Sequence, residues 1–171
     1  MILDDEPAVL VALRTTLEYQ NYRVVATAST ERALHELESH PFAVIISDQR
    51  MPSMTGLEFF QRARRIQPHA SRVLITGMID PPTLIKSINE GEIYRFVAKP
   101  WLREEMIATV RNATHRYELV TQNERLLEET IELNKQNLEA NRSLAAKVSE
   151  LEESRHQLAA KNQELAHRYE L

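Results

Sequence analysis

Residues 45–56 read IISDQRMPSMTG: an apolar run that ends in a single carboxylate, Asp48, followed within a few positions by Arg50, Pro52 and Gly56. A strand that delivers an acid to a loop is costly to fold unless the acid meets a cation or performs chemistry there. The rest of the chain therefore has to supply partners for Asp48, and the search for them decides both fold and function.

Similar apolar runs recur on either side. MIL (1–3), RVVATA (23–28), FAVIIS (42–47), RVLIT (72–76) and YRFVA (94–98) read as strands. Between them PAVLVALRTTLEYQ (7–20), STERALHELESH (29–40), TGLEFFQRARRI (55–66) and PPTLIKSINEGE (81–92) carry apolar residues at helical spacing. Strands that are apolar on both faces and separated by helices imply a parallel sheet covered on both sides. The expected fold is thus α/β, a five-stranded parallel sheet in a three-layer sandwich.

The character changes at Pro100. All 3 Gly and 7 Pro lie at or before that position, and residues 102–171 read as one uninterrupted helix, roughly 105 Å long if straight at 1.5 Å per residue. Its start, with Met106, Ile107, Val110 and Ala113, is suited to cover the sheet. We therefore expect a globular domain over 1–117 and a coiled coil over 118–171. Leu144, Leu151, Leu158 and Leu165 repeat every seven residues, with Val148, Arg155, Asn162 and Tyr169 four after each, which makes the leucines position d and the others position a. Leu at d with an Asn at one a position favours a parallel homodimer, in which Lys147 at g meets Glu152 at e of the second copy. Upstream, Tyr117, Glu124, Ile131, Leu138 and Ala145 fall at a and Val120, Leu127, Asn134 and Asn141 at d. The two registers differ by three residues near 141–144, a stammer that overwinds the supercoil locally. HRYEL occurs at 115–119 and again at 167–171, a chance similarity within a helix of low complexity.

Composition narrows the function. A hydrophobic content of 43% over 171 residues builds a real core, and a formal charge of −4 gives no basic footprint for direct nucleic-acid binding. The absence of Cys removes disulfides and thiolate metal sites, and neither a leader nor an apolar membrane span is visible, so a cytoplasmic protein with protein partners and no membrane association is expected. The six His show no metal-ligand spacing. The Arg62, Arg64, Arg65 cluster reads as a solvated helix face.

In a parallel α/β sheet, ligands gather beyond the carboxyl ends of the strands. There the sequence offers Asp4, Asp5 and Glu6 after the first strand, Asp48 after the third, Thr76 and Gly77 after the fourth, and Lys99 and Pro100 after the fifth. Singly each has an ordinary reading as a helix start, cap or turn. Together they form a site: converging carboxylates repel one another, a hard cation such as Mg²⁺ relieves that, Lys99 neutralises a further charge, and the Thr76 hydroxyl donates to a phosphoryl oxygen. One Asp48 oxygen is left as a nucleophile for in-line phosphoryl transfer.

DDEP (4–7), SDQRMPSMTG (47–56), LITG (74–77) and FVAKPW (96–101) resemble, in order and spacing, the receiver domain of bacterial two-component response regulators. The resemblance covers residues 1–117 and implies a flavodoxin-like receiver fold. It further implies that Asp48 accepts a phosphoryl group from a partner sensor histidine kinase, with Mg²⁺ held by Asp5, Asp48 and the main-chain carbonyl of Arg50, and Asp4 acting directly or through water. Thr76 and Lys99 then read the phosphoryl group, Phe96 takes the position of the switch aromatic, and the Lys99–Pro100 bond is expected to be cis. Arg50 and Met78 flank the phosphoryl position and tune its loss to water. Such a chain is not a turnover enzyme; it catalyses only its own phosphorylation and dephosphorylation.

Two departures accompany this. Only three residues precede the acidic pair, fewer than the family's first strand has, and the chain ends in mid-heptad, so an output domain, enzymatic in kind, is expected beyond it. The alternative reading is a receiver-like module that takes no phosphate and serves oligomerisation or docking. A phosphatase of the haloacid-dehalogenase type also uses an Asp nucleophile and Mg²⁺, but needs a second Asp where this chain has Arg50.

Overall fold

The computed structural model describes residues 1–77, 82, 85 and 92–169, the last four as backbone only. Met78, Gly91 and, apart from Pro82, Ile85 and Glu92, the helix expected over 81–92 lie outside the described residues, as do the side chains of the second HRYEL copy.

Five strands are present: β1 (Ile2–Leu3), β2 (Ala26–Thr27), β3 (Val44–Asp48), β4 (Ser71–Thr76) and β5 (Arg95–Ala98). All pair in parallel, in the order β2-β1-β3-β4-β5. The helices are α1 (Pro7–Glu18), α2 (Thr30–Ser39), α3 (Gly56–Ile66) and α4 (Arg103–Tyr169). The chain divides into two compact units, 1–122 and 123–171.

The strands alternate their side chains between two cores, as the two-residue period of a strand requires. Leu3, Ile45 and Leu74 pack with Leu37 of α2 and Phe59, Phe60 and Ala63 of α3. Ile2, Ile46, Val73, Ile75 and Val97 pack with Leu13 and Leu17 of α1 and Met106, Val110 and Ala113 of α4. This is the three-layer arrangement expected, and Met106, Val110 and Ala113 cover the sheet while Ile107 is half-buried.

Strand β2 is shorter than its apolar run. It stands at the edge with β1 as its neighbour, and β1 supplies only the pairs Ile2 to Ala26 and Leu3 to Thr27, so Arg23–Val25 have no ladder to join beyond the Ile2 N–H bond to the Val25 carbonyl at 2.8 Å. Turn chemistry closes the elements. Asn21, at φ 63°, makes the left-handed turn after α1, a conformation Asn tolerates. Thr55 caps α3 in a reciprocal box with Glu58, whose carboxyl is held below its usual range by the Thr55 backbone N–H.

Gly56 couples α3 to the end of β3. Its N–H bonds the Gln49 carbonyl at 3.0 Å, and a Cβ placed on it would collide with the Asp48 carbonyl and lie 2.8 Å from Leu74 Cδ1. Backbone and core side chain on the same side leave no room to yield. Gly56→Ala is expected to lower unfolding stability by roughly 1–3 kcal/mol, the usual range for overpacking, as read from urea denaturation; an unchanged midpoint would contradict this contact.

Candidate functional site

The sheet's order places β1 between β2 and β3, so the connections leave β1 in one direction and return past it in the other. At such a switch point the loops part and leave a crevice at the carboxyl ends of the strands. Asp4 and Asp5 follow β1, Asp48 is the last residue of β3, Thr76 the last of β4, and Lys99 follows β5 through a peptide bond to Pro100 that is cis, as expected. A cleft of about 160 Å³ there is lined by Asp5, Glu6, Asp48, Gln49, Arg50, Thr76, Gly77 and Lys99.

One ammonium organises the charges. Lys99 Nζ lies 2.7 Å from Asp48 Oδ1, 3.1 Å from Glu6 Oε1 and 3.2 Å from Asp4 Oδ2. Partial burial works against its charge, but the hydrogen bonds to Asp48, Glu6 and Asp4 outweigh that and raise Lys99 above the usual lysine range. Asp48 is buried, and its second oxygen, Oδ2, accepts the Arg50 N–H at 2.5 Å. Asp4 is wholly buried; Oδ1 accepts the Glu6 N–H at 2.8 Å. Desolvation raises the Asp4 carboxyl above its ordinary value, against the pull of the Glu6 N–H and Lys99.

Of the residues singled out in the sequence, Asp5, Asp48, Arg50, Thr76 and Lys99 meet in this cleft. Asp4 does not line it and connects to it through Lys99. Phe96 stands on β5, in register with Leu74, and is 38% exposed. Gln49 was not anticipated, and Glu6, collected at this edge from the sequence, was given no role in the site. Glu6 is the N-cap of α1, directly before Pro7, and a carboxylate one residue past the acidic pair was the signal that it belongs to the same edge. Gln49 ties the loop down: its carbonyl accepts from Gly56 N and its side chain from Leu57 N at 3.3 Å.

Among the described residues no three His, Asp or Glu are grouped closely enough to hold a metal as they stand, and the Lys99 ammonium sits among the carboxylates. The donor types nonetheless fit Mg²⁺. Asp5, Asp48 and a main-chain carbonyl are hard oxygens, and the cleft has room for retained water.

Burying Asp4 charged is a standing strain on the fold. Asp4→Asn is expected to raise the urea midpoint at neutral pH in metal-free buffer. A carboxyl whose folded value is raised contributes its full stability below the unfolded value and loses it as pH rises through the folded one. The variant's advantage should therefore vanish below about pH 3.8, the ordinary value for the group; a lower midpoint at neutral pH would refute this.

Comparison with known proteins agrees with the fold. The response regulator receiver domain family matches residues 1–111. The hydrogenase transcriptional regulatory protein HoxA of Cupriavidus necator is 39% identical over 113 residues, 66% of this chain and 23% of that protein. The C4-dicarboxylate transport transcriptional regulatory protein DctD of Rhizobium meliloti is 33% identical over 125 residues, 73% of this chain and 27% of that protein. The chain thus spans about a quarter of these relatives. Among solved structures, one titled adenylate cyclase from Rhodopirellula baltica superposes with a TM-score of 0.71 at 35% identity, covering 74% of this chain and 94% of that one. The beryllofluoride-activated NtrC4 receiver domain dimer superposes at 0.64 with 28% identity, covering 68% and 95%. A five-stranded parallel sheet with this order, its acids, Thr76 and Lys99 at one edge, and a family match over most of the globular unit lead to one conclusion: the chain belongs to the response regulator receiver domain family.

Proposed function

We propose that this chain is a phosphoacceptor module, in which Asp48 takes a phosphoryl group from a phosphohistidine on a sensor histidine kinase. The observation that carries this reading is the 2.7 Å contact between Lys99 Nζ and Asp48 Oδ1 beside Thr76 in the cleft. An Asp48 oxygen attacks phosphorus in line, the oxygen–phosphorus bond forms as the phosphorus–nitrogen bond breaks, and the departing imidazole keeps the electron pair. Lys99 neutralises charge gathering on the phosphoryl oxygens, Thr76 donates a hydrogen bond to one of them, and Arg50 N–H steadies the acceptor carboxylate. Mg²⁺ held by Asp5, Asp48 and the Arg50 carbonyl, when bound, supplies further charge neutralisation.

Signalling follows from differential contact. A phosphorylated Asp48 interacts with Thr76 and Lys99 more strongly in one arrangement of the sheet edge than in another. Thr76 moves toward the phosphoryl group, and Phe96, now 38% exposed, turns inward into the space released. The consequence passes to a parallel homodimer formed through the C-terminal helix, and from there to an output outside this chain. Outputs differ among the relatives: HoxA and DctD are named as transcriptional regulators, and the Rhodopirellula baltica structure as an adenylate cyclase. Phosphoryl acceptance is the part of the reading that rests on this chain's own residues.

Incubation with acetyl phosphate and Mg²⁺ is expected to add one acid-labile phosphoryl group, seen by intact mass. Asp48→Asn should abolish the addition, and Lys99→Met should slow it by about 10²-fold, the typical effect of removing one preorganised charge-stabilising donor. No incorporation into the folded wild type would leave the docking-module reading, and incorporation that survives Asp48→Asn would place the acceptor elsewhere.

A further inference from the structure

Helix α4 carries two apolar stripes upstream of residue 141, and only one of them follows the heptad register assigned above. Leu119, Leu126 and Leu133 also repeat every seven residues, and all three are exposed, at 48%, 51% and 58%. In the register that puts Val120, Leu127, Ile131 and Leu138 in the core, these three leucines fall at c, on the outer face. If instead they are taken as d, the a positions become Asn123, Thr130 and Asn137. The leucines at d match the downstream half, where the polar Asn162 also stands at one a position.

Three observations favour the leucine stripe as the seam. First, Leu133 and Leu144 are 11 residues apart, three turns at 3.67 residues per turn, so close to the helix's own period that the stripe continues into Leu144, Leu151, Leu158 and Leu165 without changing face. Asn137 and Ala140 face the seam within that step. The other register reaches the same leucines only through an overwinding stammer. Second, the other register puts the carboxylate of Glu124 at an a position, facing its copy across a parallel dimer, whereas the leucine seam puts Asn123 there. Third, the globular unit already uses the start of the other register: Tyr117 and Val120 are half-buried, and Tyr117 lines a cleft with Gln67 and His69. Leu119 is left free.

We propose that a second copy of this chain packs in parallel along one seam made of Leu119, Leu126, Leu133, Leu144, Leu151, Leu158 and Leu165, with an 11-residue step at 133–144 in place of a stammer. The occupant is a second copy because the pattern is self-complementary: leucine meets leucine at d, Asn meets Asn at a, and Lys147 at g is opposite Glu152 at e. Leu144, Leu151, Leu158 and Leu165 are exposed within one chain, from 45% at Leu165 to 69% at Leu151. Ile131 and Leu138 lie outside this seam, at b. The inference rests on the homodimer stated above and replaces the upstream half of its register.

The chain contains no Cys, so single cysteines report the seam directly. Leu126→Cys and Leu133→Cys test the leucine seam, Ile131→Cys and Leu138→Cys test the other register, and Leu158→Cys, a d position in both, reports the dimer itself. Each variant of the full chain is oxidised with and without beryllofluoride and Mg²⁺, and read in whichever state is dimeric by mass, with helical content checked by circular dichroism. Strong disulfide dimers at 126, 133 and 158, with at least about fivefold less at 131 and 138, are expected. Crosslinking at 158 with 131 and 138 exceeding 126 and 133 would overturn the seam and leave the dimer standing. No crosslink at 158 and a monomeric mass in both states would remove both.

Discussion

The structure depends at its functional edge on one ammonium shared by three carboxylates. Lys99 reaches Asp4 after β1, Glu6 at the start of α1 and Asp48 at the end of β3, so it ties the last strand of the sheet to the first and the middle ones. Without it, acids held close together on a desolvated edge would repel one another. With it, the buried Asp48 has a cationic partner, one oxygen toward Lys99 and the other on the Arg50 N–H. In the proposed function the same contact would also prepare Asp48 to accept a phosphoryl group. Stability and chemistry are thus balanced on the same atoms, and a desolvated Asp4 is the part of that balance that works against the fold.

Much of this was legible in the sequence because parallel strands buried on both faces are nearly all apolar, so the polar residue that ends each one stands out. Asp48, Thr76 and Lys99 were found that way. The division of labour between Asp4 and Asp5 was not, since it depends on which face each side chain takes once the strand ends: Asp4 turns into the protein and Asp5 lines the cleft. Glu6 was read as a helix start, and it is one; that its side chain also reaches Lys99 depends on a contact across 93 residues that no local pattern contains. The short β2 follows from the length of its neighbour, a property of the sheet and not of the RVVATA run.

The helix poses the converse problem. Its periodicity is plain, yet two stripes share residues 117–141, and sequence alone ranks them by apolar content, which favours the one with Ile131 and Leu138. In the proposed seam, the partial burial of Tyr117 and Val120 by the globular unit changes the ranking, because a side chain half-packed within its own chain is less free to join one. No helix among the described residues is long and apolar enough to cross a membrane.

The central claim, that Lys99 and Asp48 stabilise each other in the resting fold, is tested most directly by a double-mutant cycle on unfolding free energy in metal-free buffer. Lys99→Met should destabilise the wild type by at least about 1 kcal/mol more than it destabilises Asp48→Asn, the coupling expected of a close, partly buried charge pair. Effects that add to within about 0.5 kcal/mol, the behaviour of independent sites, would contradict the account.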